Sequence, residues 1–181
     1  MGTRILGIIG VLIVVAGFVA FSSFYTLHQT QQALVLQFGN PVDVITKPGL
    51  KFKIPFIQNV EFMENRILSF DAPAEEIIAS DQKRLVVDSF IRYKISDALE
   101  FYKSVSSVNI ARSRLSTILT SSLRRVLGSV PLATVLTGER GELMEQIRDS
   151  VNSESRSLGI DVVDVRIKRA DLPEANSAPG Y

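Results

Sequence analysis

Cysteine is absent from the 181-residue chain, and histidine occurs once, at His28. Without thiols there is no disulfide framework, and zinc or iron-sulfur sites lose their usual thiolate ligands. A metal site would have to rest on carboxylates. The lone imidazole would also have to serve any Ser-His-Asp hydrolase. The serine-rich pieces Ser104–Ser107, Ser121–Ser122 and Ser150–Ser157 contain no G-x-S-x-G turn and read as helix caps and solvated faces. Gly138-Glu139-Arg140-Gly141 lacks the spacing and the lysine of a phosphate loop and reads as the opening of a helix. Glu75 and Glu76 are adjacent on an apparent strand and point to opposite faces. These residues assemble no catalytic, cofactor or metal site, and the expectation is a protein that is not an enzyme.

An excess of charge of one sign is also missing. With Arg4 set aside, 19 Lys and Arg stand against 19 Asp and Glu. No net field exists to gather a polyanion, so nucleic-acid binding is excluded as a working reading.

What is present is a long apolar run. Ile5 to Phe21, ILGIIGVLIVVAGFVAF, carries no polar side chain, and 12 of these 17 residues are Ile, Leu, Val or Phe. Continued to Tyr25, the segment is as long as a helix of about 31 Å, which matches the roughly 30 Å hydrocarbon core of a bilayer. A transmembrane helix over 5–25 is therefore expected. A cleaved signal peptide fits less well, because Phe18 occupies the position three before a cut after Ala20. A buried core helix would keep a polar stripe. Arg4 and the free amino terminus are the only positive groups before Lys47, so the positive-inside bias leaves residues 1–4 in the cytoplasm and sends the rest outward. In a Gram-negative bacterium that means a single-pass inner-membrane protein with a periplasmic main part.

After the span the chain reads as strands. Gln29–Phe38 is closed by Gly39, Asn40 and Pro41, and Val42–Ile45 follows. After the Pro48-Gly49 turn, Leu50, Phe52 and Ile54 alternate with Lys51 and Lys53, the period of a half-buried strand whose lysines face water or lipid headgroups. Lys51, Phe52, Lys53 and Phe56 are the candidate membrane-interface residues, with the phenylalanines dipping into the interface. Short strands are expected within Val60–Phe70 and over Glu75–Ala79. Lys83–Ile95 is the clearest strand, with Leu85, Val87, Ser89, Ile91, Tyr93 and Ile95 on one side.

At Asp97 the period moves towards 3.6. Asp97 caps a helix over Ala98–Val105. Val108–Leu127 places Ala111, Leu115, Ile118, Leu119, Leu123 and Val126 on one stripe, with Gly128 as its C-terminal cap. A third helix runs from Gly138 to about Leu158, capped by Thr137, and Gly159 ends it. Ile160–Arg169 alternates again, with Val163, Val165 and Ile167 set against Asp164, Arg166 and Lys168. Strands, helices and a returning strand define an α+β fold with an antiparallel sheet. The expected organisation is a β-rich half over 26–95 and an α/β half over 96–172, with 173–181 as a short tail.

The N-terminal span followed by PGLKFKIPFIQNV, then VVDSFIRYKISDALEFYKSV, SSLRRVLGSVPLATVLTGERGELMEQIRDSVN and LGIDVVDVRIKRADLP, resembles the HflC branch of the band-7 (SPFH) family of stomatin, prohibitin, flotillin and HflK/C proteins. The resemblance implies a membrane-anchored, non-enzymatic scaffold or regulatory subunit without a cofactor. Its implied partners are the lipid bilayer, an HflK-like protein in a hetero-oligomeric periplasmic cage, and an FtsH-like membrane AAA protease that it modulates in membrane protein quality control. The alternatives are a stomatin-like scaffold with another partner and a membrane-tethered hydrolase. In that branch the segment after the Leu-Pro step enters a long Ala- and Glu-rich helix. Here Glu174 to Tyr181 reads EANSAPGY, and Pro179 and Gly180 break a helix. The corresponding expectation is a fragment, a truncated variant or the product of a damaged gene, with its assembly weakened by the missing helix.

Overall fold

The computed structural model describes residues 2–136 and 140–171. The expected Thr137 cap, the Gly138-Glu139 step and the tail from Leu172 onward lie outside the described residues. The chain divides into two compact units, Met1–Asn65 and Arg66–Tyr181. This division does not follow the change of period at 95/96, because the long strand before that point pairs with the closing strand of the second unit.

In the first unit, helix α1 (Gly2–Ser22, 21 residues) leads into β1 (Phe24–Leu27). It ends earlier than expected, since Phe24 and Tyr25 are already strand residues. Among the described residues no helix is long and apolar enough to cross a membrane. There follow β2 (Gln31–Gln37), β3 (Asn40–Ile45), β4 (Gly49–Phe52) and β5 (Gln58–Glu64). Strands β1 and β4 form a two-stranded antiparallel ribbon, and β3-β2-β5 form an antiparallel sheet with β2 at its centre. Gln32, Ala33, Leu34, Val35 and Leu36 are all buried. Both faces of β2 are therefore covered, which explains why its sequence is apolar at consecutive positions instead of alternating.

The second unit is built on β8 (Arg84–Ile95), which pairs antiparallel with β6 (Leu68–Asp71), β7 (Glu75–Ile78) and β9 (Ile160–Asp171). Leu85, Val87, Ser89, Ile91, Tyr93 and Ile95 are all buried, as the period of two predicts. Asp97 caps α2 (Ala98–Ser104), its carboxylate accepting from the N–H groups of Leu99 at 2.9 Å and Glu100 at 3.0 Å. Helix α3 (Val108–Leu127) has the expected bounds and is capped by Ser107. Its buried stripe is Ala111, Leu115, Leu119, Ser122, Leu123 and Leu127. Ile118 and Val126 are only half-buried. Ser122 was missed because a hydroxyl carries no apolar signal; it lies 3.1 Å from the hydroxyl of Ser150. A short helix α4 (Leu132–Leu136) precedes α5 (Arg140–Ser155), whose inner residues include Leu143, Ile147 and Val151. A single 3-10 turn (Arg156–Leu158) and Gly159 finish α5.

Strand β9 departs from simple alternation. Its pairing with β8 shifts between Arg92 and Tyr93, so that Val163 is left without a partner residue. Burial accordingly moves from Ile160 and Val162 to Val165 and Ile167. Val163, expected to face inward, is 41% exposed, because the extra residue of a bulge reverses which positions face the core.

Candidate functional site

Among the described residues no group of three or more His, Asp or Glu is placed to hold a metal ion. His28 lies in the exposed turn between β1 and β2 and lines an open depression with Leu27, Gln29, Thr30, Pro48 and Gly49. Neither a carboxylate nor a serine shares that lining. Glu75 and Glu76 do diverge: Glu75 meets Arg124 at 3.1 Å and Glu76 meets Arg84 at 3.2 Å.

The chemistry that converges is apolar, at the end of α1. Strand β4 pairs with β1 in the register Phe24 to Phe52 and Thr26 to Leu50. The Phe24 and Phe52 rings meet edge to face, with centroids 5.9 Å apart. Leu50 is 68% and Phe52 63% exposed, and Ile54 is exposed too, whereas Lys51 and Lys53 are half-buried. The ribbon is thus inverted with respect to the sequence expectation. Its alternation is as predicted, but the apolar row faces outward and the lysines face the unit. Periodicity identifies two faces of a strand without saying which one the fold covers. On the covered side Tyr25 packs edge to face on Phe62, centroids 6.0 Å apart. Burial, and then the Asp43 carboxylate, hold the Tyr25 phenol above its ordinary pKa.

Backbone hydrogen bonds tie this ribbon to the helix. The N–H of Lys53 donates to the Ser23 carbonyl at 2.8 Å. The Ser23 hydroxyl donates to the Val19 carbonyl at 2.7 Å, anchoring the junction to the last turn of α1. Beyond Lys53 the chain closes a tight turn, in which the Gln58 N–H donates to the Ile54 carbonyl at 2.9 Å and the Ile54 N–H to the Gln58 side chain at 2.8 Å. Phe56, inside this turn, has φ 66° and is 85% exposed. The next turn along, between β2 and β3, holds Phe38 at φ 51° and 79% exposed. The Phe38 N–H donates to the Ile57 carbonyl at 3.4 Å, so the two turns are neighbours. Left-handed backbone costs a residue with a Cβ about 1–2 kcal/mol.

Of the four residues expected at an interface, Phe52 and Phe56 stand outward, and Lys51 and Lys53 lie behind them. Sequence reasoning missed Phe21, Phe24 and Phe38. The first two were read as parts of the span and the third as the end of a strand; the available signal was an aromatic beside the Gly39-Asn40-Pro41 turn.

The SPFH domain / Band 7 family matches residues 25–179. "Protein HflC" of Haemophilus influenzae is 34% identical over 94% of this chain and 61% of its own length. "Protein HflC" of Buchnera aphidicola subsp. Schizaphis graminum is 31% identical over 84% of this chain and 57% of its own. "Modulator of FtsH protease HflC" of Escherichia coli K12 is 27% identical over 94% of this chain and 65% of its own. The chain thus spans less than two thirds of the length of these relatives. A family match over most of the chain, an antiparallel α+β architecture and the similarity to HflC proteins together place this chain in the SPFH domain / Band 7 family, on its HflC branch.

Proposed function

We propose that this chain is an HflC-like regulatory scaffold, anchored in the bacterial inner membrane by α1, which pairs with an HflK-like protein and modulates an FtsH-type membrane protease. The observation that carries the reading is the outward apolar face at the end of α1. Leu50, Phe52, Ile54 and Phe56 are all exposed within seven residues of one another, and clustered exposed apolar side chains mark an interaction or membrane surface. It continues directly from a helix of 21 residues, about 31 Å long, whose Leu12, Ile13, Val14, Val15, Phe18 and Phe21 are exposed. A bilayer would cover both. Arg4 orients the span with the amino terminus in the cytoplasm and the two units outside. The protease partner rests on the relatives named as HflC and as a modulator of FtsH protease.

Two measurements test this. Protease added to intact spheroplasts should digest the chain beyond the helix; protection until the membrane is lysed would reverse the orientation. Affinity purification of the chain from gently solubilised membranes should recover an HflK-like protein and the protease, and the purified chain should alter the rate at which that protease degrades a membrane substrate. Recovery of another SPFH partner without the protease would favour a stomatin-like scaffold instead.

A further inference from the structure

Helix α3 holds four arginines, Arg112, Arg114, Arg124 and Arg125, and no acidic residue, in a chain whose charges are otherwise nearly balanced. Two of them are neutralised from within the second unit, Arg124 by Glu75 at 3.1 Å and Arg125 by Glu154 at 3.4 Å. Arg112 and Arg114 are exposed, and among the described residues neither has an ion-pair partner. Two residues apart on a helix, they stand on nearly opposite sides of it. Arg114 borders an open groove of about 440 Å³, walled by Arg114, Thr117 and Ile118 of α3 and by Ser153, Ser157 and Leu158 from the end of α5 and the turn that follows it. Ile110, 49% exposed, lies one turn before Arg114 on the same side.

The hydrogen-bonding sense of this groove is fixed. The Thr117 hydroxyl donates to the Ser113 carbonyl at 3.2 Å, that of Ser153 to the Ser150 carbonyl at 2.9 Å and that of Ser157 to the Glu154 carbonyl at 2.8 Å. With their hydrogens so used, the three oxygens can only accept from whatever enters. Glu154 also lines the groove, and Arg125 offsets its charge. An occupant therefore needs N–H donors for the hydroxyl row, a carboxylate for the Arg114 guanidinium and an apolar side chain to cover Ile110 and Ile118. We propose that the groove binds an extended acidic segment of a partner protein, its carboxylate paired with Arg114 and its main-chain N–H groups donating to Thr117, Ser153 and Ser157. From Ile110 to Ile118 the helix rises about 12 Å, the reach of about four extended residues. A second copy of this chain fits less well: its exposed Glu145 and Asp149 lie inside α5, where the main-chain amides are already bonded, so it offers the charge without the donors. The site lies wholly in the second unit and does not depend on α1 entering a bilayer.

The test titrates the full chain, in nonionic detergent, into a fluorescein-labelled pentapeptide of alternating leucine and glutamate. Its anisotropy should rise to saturation, and the same peptide with lysine for glutamate should stay unbound. Methylating the peptide's main-chain nitrogens removes the donors and keeps the charge, and should weaken binding at least about threefold. That arm needs only the parent chain. Arg114→Gln should weaken binding about tenfold, and Thr117→Val with Ser157→Ala about threefold, each at an unchanged melting midpoint because these side chains are exposed. Arg112→Gln, across the helix, should leave binding unchanged. Equal losses from Arg112→Gln and Arg114→Gln would reduce the contact to diffuse charge and overturn the groove. Undiminished binding of the methylated peptide would overturn the extended mode, and an absence of saturable binding would overturn the proposal altogether. Self-association of the parent without peptide, abolished by Arg114→Gln, would assign the face to a second copy instead.

Discussion

Gly159 closes the turn on which both α2 and α5 depend. Its φ is 70°, and a Cβ there would lie 2.6 Å from the Phe101 nitrogen and collide with the Asp97 carbonyl oxygen. Its own carbonyl accepts from the N–H groups of Ser96 at 3.0 Å and Asp97 at 3.1 Å, which starts α2. Gly159→Ala adds left-handed strain to an overlap with backbone, and should destabilise the chain by about 2–4 kcal/mol. A urea titration checks this as a fall in midpoint at unchanged slope. His28 is the opposite case. Its side chain is exposed, and its backbone carbonyl makes the turn bond to Gln31 at 3.1 Å. His28→Ala should change stability by no more than about 0.5 kcal/mol and leave the proposed effect on the protease intact. Loss of that effect in a chain that still inserts and folds would restore a chemical role for the imidazole.

Among the elements, β8, α2 and α3 were legible in advance, whereas β4 and β9 were legible as strands but not in which of their side chains the fold covers. The first three depend on periods and caps carried by neighbouring residues: six alternate positions of β8, the Asp97 carboxylate over two amides, and an apolar stripe at helical spacing. Removing the cap by Asp97→Ala should cost about 1 kcal/mol, measured by thermal melting. The bulge in β9 depends instead on its register with β8, whose residues lie far earlier in the chain, as in the pair Arg92 and Asp164, 72 positions apart. It yields a paired prediction. Val162 is 3% exposed, so Val162→Asp buries an unpaired charge and should cost more than about 4 kcal/mol. Val163→Asp, on the bulge, should cost less than about 1 kcal/mol. Equal effects at the two positions would show that the bulge is absent in solution.

For the whole molecule, charge is nearly balanced, at a formal net +1, and the surface that we propose meets the bilayer is apolar. Retention should therefore be insensitive to salt. In about 1 M salt, where the screening length falls to about 3 Å, the chain should stay in the membrane pellet, and detergent should release it. Release by salt alone would show a peripheral, electrostatic attachment and overturn the proposed anchor.

The sequence by itself determined the apolar N-terminal helix, the α+β class, the strand and helix periods, the scarcity of catalytic residue types and the family. Each of these follows from side-chain chemistry repeated at short range along the chain. Only the tertiary structure decided that the division falls at Asn65 and Arg66, that Val163 faces out, and that the apolar row of β4 points away from its own unit with Phe38 brought beside Phe56. A period of two defines two faces but does not name the covered one. That choice is made by strands and turns that meet through backbone hydrogen bonds between residues far apart in the chain, as Ser23 meets Lys53 and Phe38 meets Ile57.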